Sequence, residues 1–135
     1  MKGFWCLLMG MAFFLTSCKD STTSSTVYDN LNSPVSTNVA NSFTYTINAN
    51  QYSQTSYHDL NFPSDSLVIT LTSSTHLSGQ AIISVCDSSG TTIFSDTVTS
   101  NKTVVIAQLK KSRPKQCSLG FTALTAKLVF VVVGR

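Results

Sequence analysis

The stretch that decides the fold is Ala81-Ile82-Ile83-Ser84-Val85-Cys86-Asp87-Ser88-Ser89-Gly90-Thr91-Thr92-Ile93-Phe94-Ser95-Asp96-Thr97-Val98. Ala81, Ile83 and Val85 fall on one face of an extended chain and Ile82 on the other, the period of two that a strand requires. Asp87-Ser88-Ser89-Gly90 then supplies turn formers, with Gly90 free to take positive φ. Residues 92–98 return as the second arm of a hairpin.

The same period runs outward in both directions. Phe43, Tyr45 and Ile47 alternate with Thr44, Thr46 and Asn48, and Leu67, Ile69 and Leu71 alternate with Val68, Thr70 and Thr72. Ser100-Asn101-Lys102 turns the chain into residues 103–109. A polar connection with Pro114 follows, and residues 116–121 and 126–133 close the chain. A short helix over residues 119–127 is the competing reading there. Leu128-Val129-Phe130-Val131-Val132-Val133 is apolar on both faces and is expected to be a central strand, because an exposed one would invite aggregation. The pattern predicts an all-β fold, an antiparallel β-sandwich of about seven strands, over residues 42–135.

Composition agrees. Glu is absent and charged residues make up only 11% of the 135, too few for ordinary surface helices. The length fits one domain. The net charge of +3 hides an asymmetry along the chain. Residues 19–96 carry one basic residue and six aspartates, whereas residues 97–135 carry seven basic residues and no acid. A dipolar chain of this kind is not expected to bind nucleic acid.

Lys2 precedes an apolar stretch over residues 4–15, too short to span a bilayer comfortably and suited to a signal segment. Leu15-Thr16-Ser17-Cys18 follows. This resembles the lipobox of bacterial lipoproteins. The resemblance implies that residues 1–17 are removed as a signal peptide and that Cys18 takes a diacylglyceryl group and an N-acyl chain such as palmitate, with no other cofactor. Two or more acyl chains anchor stably, at roughly 0.8 kcal/mol per buried methylene. It also implies a cell-envelope protein held to a membrane. Lys19 directly after Cys18 argues for the outer membrane, and Cys18-Lys19-Asp20 is similar to part of the surface-export signal of Bacteroidetes lipoproteins, leaving the membrane face open. Residues 18–41 contain Ser21-Thr22-Thr23-Ser24-Ser25-Thr26 and no apolar period, so they read as the lipidated Cys and a flexible tether. Asp20-Ser21-Thr22, Asp65-Ser66-Leu67 and Asp96-Thr97-Val98 resemble the Bacteroidetes O-glycosylation pattern, which would modify Ser21, Ser66 and Thr97.

Residues 79–94 resemble the hairpin of small bacterial Ig-like or GOLD/CUB-like sandwich domains. That likeness implies recognition or scaffolding rather than catalysis, and names no ligand.

Candidate chemistry is sparse. Cys86 and Cys117 could pair as a disulfide in an exported domain, or stand apart as buried thiols. There is no Cys-x-x-Cys and no His cluster, so no metal is expected, although Asp59, Asn61 and Asp65 could supply oxygens to calcium. His58-Asp59 with Ser64 or Ser66 lacks a Gly-x-Ser-x-Gly elbow, so no enzyme is expected. Residues 57–65 read as a long surface loop. Lys110, Lys111, Arg113 and Lys115 form a basic loop that would meet an anionic surface such as lipid headgroups, or simply discourage strand pairing. Tyr45, Tyr52 and Tyr57 with Asn50, Gln51 and Gln54 could stack on and hydrogen-bond a sugar. The functional expectation is a non-enzymatic envelope lipoprotein with a binding or structural role toward an envelope protein or glycan. The alternative is a surface-exposed adhesin or glycan-binding accessory module.

Overall fold

A computed structural model describes residues 30–135. They form an all-β fold with six antiparallel strands: β1 (Val35–Val39), β2 (Ser42–Asp59), β3 (Ser66–Asp87), β4 (Thr92–Val98), β5 (Lys102–Lys110) and β6 (Pro114–Gly134). They join one sheet in the order β1-β2-β6-β3-β4, with β5 also paired to β3. The apolar β6 is central, as its sequence requires, between β2 and β3.

The count is six rather than about seven because two pairs of strands read as separate are continuous, which leaves five, and β1 adds a sixth. β3 merges residues 67–72 with 81–85, and β6 merges 116–121 with 126–133. The competing helix over 119–127 is strand throughout. The strand β1 lies inside the stretch read as tether, so the paired structure begins before residue 42.

The long strands bend midway. Residues 42–49 of β2 pair with 126–133 of β6, whereas residues 52–59 pair with 116–124. The strand β3 divides likewise: residues 67–74 lie against β5 and the second half of β6, and residues 80–87 against β4 and its first half. One sheet thereby folds over on itself, in place of two separate stacked sheets. One layer holds β1, β5 and half of each long strand; the other holds β4 and the remaining halves.

The corner line is set by local backbone. Gln51, Thr75, Gly79 and Ala123 all have positive φ there, and the β2 and β3 registers slip at the same level. Freed backbone groups are recaptured by side chains: Gln51 N–H donates to Thr125 Oγ1 at 3.0 Å, Ala123 N–H to Ser53 Oγ at 2.7 Å, and His76 N–H to Asn101 Oδ1 at 2.7 Å. Gly79 is required, since a Cβ there would lie 2.2 Å from the Ala123 carbonyl oxygen.

The core fills the space between the layers. Phe43, Tyr45 and Ile47 join Leu119 and Phe121 in one buried cluster, and aromatic pairs cross the gap: Tyr45 stacks on Phe121 at 5.9 Å and Phe94 on Phe130 at 6.1 Å. Leu60 and Phe62 are buried, so the connection read as a surface loop in fact plugs the end of the core opposite the corner, and residues 57–59 belong to β2.

Candidate functional site

The basic residues gather at this plugged end. Lys110 lies across from Ser66, Lys111 N–H donates to the Asp65 carbonyl, and the Lys115 carbonyl accepts from Leu60 N–H. Arg135 joins them through its N–H to the Ser66 carbonyl. Sequence reasoning missed this fifth cation, because only the β3–β6 pairing brings residue 135 beside residue 66. Lys110, Lys111, Arg113, Lys115 and Arg135 are all exposed.

Three aspartates share that end. Asp59 ends β2 opposite Gln116, next to Lys115; Asp65 abuts Lys111; Asp87 ends β3. The acid-then-base asymmetry of the linear sequence is therefore folded into a mixed surface. None of these groups is within ion-pair distance of another. The one salt bridge among the described residues is Lys102–Asp96 at 2.7 Å.

Asp87 has the most elaborate surroundings. Its Oδ1 accepts from Ser89 N–H, Ser89 Oγ and Thr91 N–H, and its Oδ2 accepts from Ser112 Oγ at 2.6 Å. Those bonds, led by the one from Ser112, hold its carboxyl down at about 2. Asp87 thus ties the β3–β4 turn to the basic connection. The Asp-Ser-Ser-Gly turn was legible, whereas the link to Ser112 was not.

The two thiols are free. Cys117 pairs with Val85 and faces the core, whereas Cys86, one residue on, faces outward and is half-buried. Strand alternation sends them to opposite faces, which explains why adjacent strands do not bring a disulfide. Burial, aided by Cys86, pushes the Cys117 thiol up to about 12.

His58 points between the layers. Its ring lies 5.0 Å from that of Phe43 and 5.7 Å from that of Tyr45, and Nε2 is 3.3 Å from Ser56 Oγ. Desolvation lowers its pKa. Ser64 Oγ is bonded instead to backbone carbonyls of Ser66 and Arg135. The geometry brings His58 together with neither Ser64 nor Ser66. Among the described residues no group of three or more His, Cys, Asp or Glu is placed to hold a metal ion.

The tyrosines separate. Tyr45 is in the core and Tyr52 packs against it, bonded to Gln54 at 2.6 Å, while Tyr57 stands 66% exposed. Across from Tyr57 on the outer face lie Ser118, Ser84 and Ser95 in one row, with Gly120 beside them. Ser84 and Ser118 share a hydroxyl bond at 2.7 Å. This is a low, hydroxyl-lined floor beside one aromatic wall. Thr97 is exposed on the same face and Ser66 is partly covered at the start of β3. Cys18 and Ser21 lie outside the described residues.

The chain joins the domain at the corner end. Asn32 N–H donates to the Asn48 carbonyl at 2.8 Å, and its side chain pairs with the Asn50 backbone in both directions. The basic end is thus the far end. Comparison with protein-family models, with curated proteins and with solved structures returned no match.

Proposed function

We propose that this chain is a non-enzymatic bacterial lipoprotein, anchored through acylated Cys18 in the outer membrane, whose β domain has a binding or structural role in the cell envelope. The Leu15-Thr16-Ser17-Cys18 stretch carries the reading. The placement of Asn32 gives it a direction. Read as a flexible tether, the eleven residues between Cys18 and Asn30 would have an r.m.s. reach of roughly 18 Å, while half a long strand spans about 30 Å. The corner end would face the lipid, and Lys110, Lys111, Arg113, Lys115 and Arg135 would face outward. The anionic contact suited to that end is then a partner in the envelope beyond the anchoring leaflet. Metabolic labelling with an alkyne fatty acid tests the anchor: the parent is expected to label and Cys18→Ser not to, and an exported parent without label would refute it.

The floor beside Tyr57 favours a second reading, a glycan-binding accessory module. Aromatic stacking on a sugar with hydroxyls at its edge is the chemistry on offer there. A glycan array on which parent and Tyr57→Ala give the same signals would remove it.

A further inference from the structure

Among the described residues, no layer packs on the outer face of the layer that holds β1 and β5. Reading across the pairing from β1 to β5, one row is Val35, Thr46, Val129, Thr72, Thr103, and the next is Thr37, Thr44, Val131, Thr70, Val105. A third row runs Val39, Ser42, Val133, Val68. All fourteen positions are Val, Thr or Ser, with no charge among them. Val35, Val39 and Val105 are each more than half exposed, and Val129 is 36% exposed. The expectation that β6 is central therefore holds, but centrality does not cover both its faces.

We propose that this Val/Thr face is the interface of a homodimer, with a second copy packed sheet against sheet. Size and charge carry the inference. Five strands about 4.8 Å apart, with three outward residues in each except β5, which has two, present roughly 24 by 20 Å, or about 480 Å² in projection. Two copies together would bury about 1,000 Å², the lower bound for a specific interface, so the dimer is reversible and concentration-dependent. The fourteen positions carry no charge, and the cations of the same face, Lys127 at one end and Lys110 at the other, would lie at the solvated rim, so the centre can meet its own copy without like charges in contact. Threonine methyls and valines interdigitate as facing sheets do, about 10 Å apart. Edge-to-edge growth from β1 or β5 is a separate mode that this face does not use.

The test is sedimentation equilibrium of residues 18–135 carrying Cys18→Ser, so that no acyl chain can drive association and the result is independent of anchoring. The mass is expected to climb from one chain toward two with concentration. Val131→Lys and Thr70→Lys should each weaken association about tenfold or more. Ile82→Lys, on the opposite outer face, should leave it unchanged. Each variant's urea midpoint, matched to the parent, establishes that it is folded, and either central variant alone suffices. A parent that stays monomeric, or dimers indifferent to both central lysines, would overturn the proposal. So would protection of the face in a monomer by residues 19–29, which would assign it to the chain's own N-terminal segment.

Discussion

Alanine at Gly79 and alanine at Gly90 should have very different consequences, although the two backbones are nearly alike, with φ of 77° and 81°. Left-handed backbone costs an L-residue about 1–2 kcal/mol. Reduced freedom of the unfolded chain returns roughly 0.4–1 kcal/mol. Gly90 has nothing within 4 Å of an added Cβ, so Gly90→Ala should cost only the difference, about 1 kcal/mol. At Gly79 the Cβ would sit 2.2 Å from Ala123 O and 2.5 Å from Thr122 O, both backbone atoms in the bend of β6. Relieving that overlap means pushing two corners apart, which adds about 1–3 kcal/mol by analogy with overpacked cores. The total for Gly79→Ala is then about 2–4 kcal/mol. With a slope of about 1.5 kcal/mol per molar urea, the midpoint should fall by roughly 1.3–2.7 M, against about 0.7 M for Gly90→Ala. Urea titrations followed by tryptophan-independent circular dichroism would measure both. Equal shifts, or a milder effect at Gly79, would show that the close approach of the β3 and β6 bends does not constrain the fold.

Two further outcomes rest on titratable groups. The Asp87 carboxyl is held at about 2, below its ordinary 3.8, so its stabilising effect is present above about pH 4 and is lost as pH falls through 2. Asp87→Asn cannot accept the Ser112 hydroxyl at its amide nitrogen. Its melting temperature should lie below the parent's at pH 6, and the gap should close toward pH 2; a gap constant over that range would refute the assignment. For the thiols, peptide mapping after iodoacetamide at pH 8 should find Cys86 alkylated in the native protein and Cys117 only after denaturation, because Cys117 is buried and raised to about 12. Its raised pKa also means that stability declines as pH climbs above about 9, where the unfolded thiol ionises first.

The alternation of apolar residues made the all-β antiparallel class legible, since period two survives any topology. What the pattern could not reveal was continuity. Thr75 and Ala123 interrupt the alternation by adopting left-handed backbone, and neither residue type advertises that conformation, so bends read as loops and β2, β3 and β6 read as shorter strands. Leu60 and Phe62 were hidden for a different reason: a single turn of irregular chain has no period to betray its burial. At the candidate site, the basic loop was visible as a run, but its setting was not. Asp59, Asp65, Asp87 and Arg135 reach it only through long-range pairing. Cys86 and Cys117 show the limit most simply, because a one-residue difference in register decides whether two thiols share a face.

The position of β1 has a mechanical consequence. It runs from the corner, where the chain joins the domain, toward the basic end, and pairs with β2 alone. Tension applied from the N-terminal side loads the Asn32 bonds first, then the β1 pairs from Val35 to Val39 one after another, as a zipper opens. Releasing residues 30–39 frees about 33 Å of extended chain without withdrawing a buried side chain, since residues 30–39 are all exposed. This outermost ribbon therefore acts as a built-in slack reserve that absorbs a pull before the folded body feels it.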